Sequence, residues 1–394
     1  MQRIAAAAEE MLRDRLIPFW KALQDQGYGG YYGYMDFDHR LDKKAEKGCI
    51  LNSRILWFFA EAAHTLQDGS LLPYARHAYE FLREKCVDRE YGGVYWSLTY
   101  DGKPLDETKH TYNQAFAVYA LSAYFRLTGD REALALAGGL FRIIEERCTD
   151  EGGYLEAFTR DFRPASNEKL SENGVLAERT MNTLLHVFEG YSGLYQACGD
   201  PAAAAAMKRI LELYAGKVYN PEKRRQEVFF DREYRSLIDL TSYGHDIESS
   251  WLMDRGCGLL DDPALRKRIS AVNSELADSV LKTAFDGHSL ANECERGAVD
   301  GSRIWWVQAE ALLCFVNEFA KRPDRVEFRE AAAELWRYIR EKLEDRRPGG
   351  EWFWRLDETG VPDSAKPTVE PWKCPYHNGR MCMELIRRDP DVYV

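Results

Sequence analysis

A turn signal returns through this chain at nearly constant spacing. Asp68-Gly69, Gly129-Asp130, Gly199-Asp200-Pro201, Asp261-Asp262-Pro263 and Pro323-Asp324 set their aspartates 62, 70, 62 and 62 residues apart. Such a period marks one supersecondary unit used repeatedly. An Asp at an N-cap accepts orphan amides and a Pro just after it presets φ, so each signal reads as a helix start. A second marker runs at an offset: Gly29-Gly30-Tyr31-Tyr32, Gly92-Gly93-Val94-Tyr95-Trp96, Gly152-Gly153-Tyr154 and Gly349-Gly350-Glu351-Trp352. Its second glycines are 63, 60 and 197 residues apart, and the long gap leaves room for two degenerate copies. Phe229-Phe230-Asp231 and Asp286-Gly287-His288 fall near the expected places.

Between the markers the pattern is helical. Segments 71–85, 132–146, 202–215 and 325–342 carry apolar residues at i, i+3, i+4 and i+7 with charge opposite, as half-solvated outer helices do. Segments 51–62, 112–124, 180–194, 245–254 and 305–319 hold little charge and many aromatics, and read as inner helices covered on most sides. One inner and one outer helix per unit, through 394 residues, gives about six pairs. The expectation is an all-α (α/α)6 barrel of six helical hairpins, a single domain over residues 1–394. The glycine-aromatic segments become short β-hairpin-like loops at one end, where each outer helix hands over to the next inner one. An open solenoid is the alternative, and the lack of polar capping repeats argues against it.

Composition narrows the function. With 53 basic and 64 acidic side chains the net charge is −11, which disfavours a nucleic-acid surface. No apolar run of about 18 residues offers a membrane span, and Met1-Gln2-Arg3 followed by Ala5 to Ala8 lacks the apolar core of an export signal. The nine cysteines form no C-x-x-C pair, and no N-x-[ST] sequon occurs, which fits reduced thiols in the cytoplasm. Aromatics make up 13% of the chain, suited either to extra packing or to stacking on sugar rings.

Polar residues on otherwise apolar inner helices are costly to bury, so they mean either a satisfied network or a site. Arg54 lies in Asn52-Ser53-Arg54-Ile55-Leu56-Trp57, where a carboxylate partner is the structural alternative. Asn182 and His186 are i, i+4; His245 and Glu248 are i, i+3; Trp306 and Glu310 are i, i+4. The stretch from Glu370 to Arg380, with two prolines, reads as a shaped loop feeding the last inner helix, and it carries His377. His39, His64, His77, His110 and His288 read as bystanders in surface-type helices or loops. Histidines 186, 245 and 377 occupy equivalent phases of three inner units, and imidazole suits proton transfer near neutral pH. A metal triad of the three with Glu248 is the competing use, but no dense ligand spacing supports it. No phosphate loop or nucleophile elbow occurs. An inverting hydrolase on this scaffold would draw on Glu172, Glu248 and Glu310.

Several segments carry a family likeness: 44–57, 91–96, Lys109-His110-Thr111-Tyr112-Asn113, Ser171-Glu172-Asn173-Gly174, Ser242-Tyr243-Gly244-His245-Asp246-Ile247-Glu248, 303–310 and above all Pro371-Trp372-Lys373-Cys374-Pro375-Tyr376-His377-Asn378-Gly379-Arg380. Over about residues 15–388 the chain resembles the cellobiose 2-epimerases of the N-acylglucosamine 2-epimerase superfamily. The resemblance implies an (α/α)6 barrel without cofactor or metal, acting on β-1,4-linked disaccharides as a monomer or weak dimer. It implies His245 and His377 as the proton-transferring pair, with His186, Arg54, Asn182, Tyr112 and Glu248 around the reacting ring. Trp306 and Trp372 would stack on sugar, and Glu310 joins the expected substrate contacts. Asn52, where His is common, and Glu370, where Gly is common, depart from the family pattern and put substrate preference in question. Mannose isomerisation or monosaccharide epimerisation is the alternative within the superfamily.

Overall fold

The computed structural model describes residues 2–170 and 173–394. Among these, six inner helices run Cys49–Leu66, Thr111–Thr128, Met181–Cys198, Tyr243–Cys257, Trp305–Lys321 and Tyr376–Arg388. Outer helices span 4–22, 72–86, Arg131–Arg147, 201–218, Pro263–Thr283 and 326–343. Each inner helix packs on the next, and Tyr376–Arg388 touches both Trp305–Lys321 and Cys49–Leu66, so the inner ring closes into an (α/α)6 barrel. The first outer helix covers the last inner one, and the chain ends are tied by Gln2 N to Val394 O (3.0 Å) and Ile4 N to Val392 O (3.0 Å). This closure is what the missing polar caps required.

The inner helices are apolar nearly all round because they are covered on both sides. Along Thr111–Thr128 every residue from Thr111 to Tyr124 is buried, whereas Arg131–Arg147 buries only one face. Helices in the inner ring also approach closely: a Cβ on Gly190 would stand 2.7 Å from the carbonyl of Ala115, so any larger residue there forces the third helix off the second. The expected caps form at Asp68, Asp130, Asp200 and Asp262, whose carboxylates accept first-turn amides. Asp324 does not cap. That helix starts at Val326 with Arg325 at the N-cap and no side-chain bond.

Every outer-to-inner connection carries a hairpin: Gln24 bridges Tyr31, Val87 bridges Val94, Thr149–Asp150 pairs Gly153–Tyr154, Tyr219–Asn220 pairs Arg225–Gln226, Phe285 bridges Leu290, and Glu344 bridges Trp352. The fourth copy therefore lies at 219–226 and not at Phe229-Phe230-Asp231. What the copies share is an Asp or Asn whose side chain accepts the amide two residues on, at Asp25, Asp88, Asp150, Asn220, Asp286 and Asp345. The fourth residue of several inner helices reaches back to its hairpin: Asn52 to Tyr31 N, Gln114 to Val94 N, Asp246 to Gln226 N and Gln308 to Leu290 N.

A second tier of pairing was not anticipated. The strand entering one inner helix pairs with the following unit: Lys47–Gly48 with Ser97–Leu98, Lys109–His110 with Ala157–Phe158, Arg179–Thr180 with Phe229–Phe230, Leu240–Ser242 with Glu293–Glu295, and Arg303–Ile304 with Arg355–Leu356. A bridge from Met35 to Val369 completes the seam between last and first units. Phe229-Phe230 belongs to this tier. No helix among the described residues is long and apolar enough to cross a membrane.

Candidate active site

The seams surround a cavity of about 620 Å3 at the N-terminal ends of the inner helices. Each inner helix contributes from its first two turns: Arg54, Tyr112, Asn182 with His186, His245 with Glu248, Trp305 with Trp306, and His377, while Trp372 comes from the loop before the last helix. That helix begins at Tyr376, so His377 and Arg380 are helical and not part of the loop.

Arg54 is 2% exposed, and its side-chain acceptors among the described residues are neutral. Its guanidinium lies over the rings of Phe116 (4.2 Å) and Tyr376 (4.8 Å), and Nη2 donates to the Tyr112 hydroxyl (2.7 Å). Nη1 donates to Cys374 Sγ (3.8 Å), and Nε and the Asn182 Oδ1 are buried without a partner among the described residues. A buried cation on aromatic faces with two neutral acceptors is incompletely compensated, and an anionic ligand atom would complete it.

The three histidines each have Nδ1 engaged, and no protein group among the described residues bonds Nε2. His377 Nδ1 lies 2.7 Å from Glu310 Oε1, His186 Nδ1 lies 3.1 Å from Glu189 Oε2, and His245 Nδ1 lies 2.7 Å from Ser242 Oγ. A carboxylate can only accept, so His186 and His377 each carry a proton on Nδ1. Burial, then His186, pushes His245 down to about 3. Burial, then Arg380 and Arg54, pushes His377 well below the ordinary range. Both are neutral bases at pH 7. The Trp306 indole touches both, with centroids 4.8 Å from His245 and 5.5 Å from His377. It can lie there because Gly244 has no Cβ; one would collide with the indole.

Beneath the cavity lies a buried network of acids around Arg380. Glu310 is fully buried and does not line the cavity; its carboxylate takes donors from Trp251 Nε1 (2.8 Å), Arg380 Nη2 (2.7 Å) and His377, so it supports a histidine and does not meet sugar. Glu248 lines the cavity, its Oε1 accepts from Arg380 Nη2 (2.5 Å) and stands 3.8 Å from His377 Nδ1, and it is Ser242 that engages the His245 Nδ1. Burial and the neighbouring Glu310 raise Glu248 to about 7. Ligand atoms of Glu248, Glu310 and His377 come within 4.8 Å of one another, but both facing carboxylate oxygens already accept from Arg380.

Sequence reasoning missed Glu189, Arg380 and Ser242, although Glu189 and Arg380 are themselves polar residues on inner helices, each three positions from a chosen histidine. The cavity's outer wall adds Asn292, Trp354, Arg355 and Lys366 from connecting segments, where no period marks them. Asn52 lies away from the cavity, bonded to its hairpin. Glu370 holds the turn that presents Trp372, accepting from Trp372 N (3.0 Å) and Lys373 N (3.1 Å). None of the five bystander histidines reaches the cavity, though His110 is buried against Trp96 (4.7 Å) and is not at the surface. Ser171 and Glu172 lie outside the described residues.

A closed helical barrel opening on paired imidazoles and an arginine held by neutral acceptors fits a carbohydrate isomerase. The chain belongs to the N-acylglucosamine 2-epimerase family, whose profile matches residues 30–378. It is 52% identical to the cellobiose 2-epimerase of Eubacterium cellulosolvens over 97% of this chain and 98% of that one. It is 48% identical to the cellobiose 2-epimerase of Ruminococcus albus, with the same coverage. The solved cellobiose 2-epimerase of Bacillus thermoamylovorans superposes with a TM-score of 0.94 at 40% identity, covering 98% of this chain and 99% of that one.

Proposed function

We propose that this chain inverts C2 of the reducing-end sugar of β-1,4-linked disaccharides, converting cellobiose to 4-O-β-D-glucosyl-D-mannose and lactose to epilactose. The observation that carries the reading is the pair of neutral imidazoles, His245 and His377, flanking one indole with Nε2 unengaged. After the hemiacetal opens, the C1 aldehyde acidifies C2–H. His377 Nε2 removes that proton, the electron pair moves into C1–C2, and a cis-enediolate forms with its charge on O1. As the hemiacetal opens, His245 relays the anomeric hydroxyl proton to the ring oxygen; recharged from solvent, it then returns a proton to the other face of C2, while His377 releases its own to solvent. Arg54 and Tyr112 meet the enediolate oxygen, which supplies Arg54 with the anion it lacks. His186 and Asn182 hold hydroxyls of the open chain, Glu248 bounds the reacting carbon from below, and Trp306 and Trp372 stack on the sugars. We take the whole chain, 1–394, as one cytoplasmic barrel domain, monomeric or weakly dimeric, needing no cofactor or metal.

The hydrolase reading finds little support. Glu248 and Glu310 lie within 4.8 Å, too close for the ~6.5–9.5 Å of an inverting pair, and Glu310 does not reach the cavity. The test is to incubate EDTA-treated protein with cellobiose in D2O and follow the products by NMR. Glucosyl-mannose bearing deuterium at C2 is expected; release of free glucose, or epimerised product without solvent deuterium, would overturn the proposal.

A further inference from the structure

Arg380 lies beneath the cavity floor and takes no part in the chemistry above. Its Nη1 donates to Glu189 Oε1 (2.6 Å), and its Nη2 to Glu248 Oε1 (2.5 Å) and Glu310 Oε1 (2.7 Å). It also contacts the Tyr376 hydroxyl, which in turn donates to Glu189. The three acids come from three inner helices and the arginine from a fourth, so one buried guanidinium pins four walls of the barrel. Two of these acids are the Nδ1 partners of His186 and His377.

We propose that Arg380 is a positioning residue for proton transfer: by gripping Glu189 and Glu310 it keeps both as acceptors aimed at a histidine Nδ1–H, and so fixes His186 and His377 with Nε2 bare toward the sugar. Which imidazole nitrogen carries the proton is decided by the hydrogen bond at the other one. Three buried carboxylates without a cation among them repel one another, and at least one takes up a proton or turns away. A protonated Glu310 could donate to Nδ1 instead of accepting, which would move the imidazole proton to Nε2 and remove the base. Burial alone would raise Glu189, yet Arg380, and then His186, hold it down at about 2. Arg380 is one helical turn beyond His377, so the residue that sets the base and the base itself move as one rigid piece.

The kinetic part of this inference rests on the epimerase reading; the tautomer part does not. The test uses full-length protein with 15N-labelled histidine, reading the tautomers of His186 and His377 by long-range 1H–15N NMR, alongside cellobiose kinetics. Native protein is expected to show Nδ1–H at both. Arg380→Met is expected to shift His377 toward Nε2–H and to lower kcat about 10²-fold with KM nearly unchanged, and Arg380→Lys to recover part of both. Should Arg380→Met not fold, Glu310→Gln reads the same His377 tautomer with Arg380 in place, and a shift toward Nε2–H is again expected. Native Nε2–H at His377, or folded Arg380→Met (or Glu310→Gln) protein with native tautomers, would overturn the proposal. A chain inactive on cellobiose that still shows the tautomer shift sinks the reaction assignment and leaves Arg380's role standing.

Discussion

The two ends of the inner ring treat buried charge in opposite ways. At the C-terminal ends of the inner helices the ionic groups are matched: Glu61 with Arg126 (3.0 Å) and Arg387, Asp254 with Lys321 (2.7 Å), Glu318 with Arg322 (2.7 Å), and Glu384 with Arg388 (3.1 Å) and Arg255 (3.6 Å). At the N-terminal ends, among the described residues, Arg54 meets only neutral acceptors and Asn182 Oδ1 no donor. Desolvation is costly at both ends. The C-terminal end meets its ionic groups from within the fold; the cavity end does so for Arg380 and its three acids but leaves Arg54 and Asn182 for a ligand to complete, and that distinction marks the site more sharply than burial does.

The contrast breaks most visibly at the imidazoles. His377→Asn or His245→Asn should slow C2 hydrogen exchange with D2O by about 10³-fold, and exchange at the wild-type rate would remove that residue from proton transfer. Arg54→Met should lower kcat by about 10²–10³-fold with Tm unchanged or raised, since no ion pair is lost. A large drop in Tm would instead make Arg54 part of the scaffold. At the matched end the effects reverse: Glu61→Ala should cost about 3 kcal/mol in denaturant unfolding, by stranding two arginines, with kcat near wild type.

The ends should also titrate with opposite sign. Against burial, Arg255 and then Arg388 and Arg387 hold Glu384 at about 2. Its folded value is below the unfolded one of about 4.3, so its stabilisation is complete above that pH and drains away as pH falls toward 2. Glu248, raised to about 7, binds its proton more tightly when folded, so stability is greatest below about pH 4.3 and declines as pH rises toward 7. Glu384→Gln and Glu248→Gln should each flatten only their own stretch of a stability–pH curve, and a shared change would mean the two ends are coupled. The smallest effect is Asn52→Ala: about 1 kcal/mol from the lost bond to Tyr31 N, with the preference between cellobiose and lactose unaltered.

The barrel was legible because a helix pair is paid out in a fixed length of chain and caps leave a residue-level mark, as at Asp130 and Asp200. The fourth hairpin escaped because Asn220 turns its loop without a double glycine, Arg224 taking the left-handed conformation instead. The seam strands escaped because two- and three-residue strands have no periodicity to read; their partners lie a whole unit away. In the site, a polar residue on an apolar helix led to Arg54 and to the three histidines, but the same rule could not tell Glu248, which lines the cavity, from Glu310, which does not. Both sit at the same helical phase and both accept from Arg380 Nη2, so no mark in the sequence separates them.

All six inner helices begin at the cavity. Each carries an aligned peptide dipole worth about half a positive charge at its N-terminus, and the ring brings these ends together around one space. Negative charge developing on an open-chain sugar is thus met by a field built into the repeat itself, oriented before substrate arrives and owed to no single side chain. In a chain of net charge −11 this contribution comes from backbone geometry, and it survives any one substitution in the cavity wall.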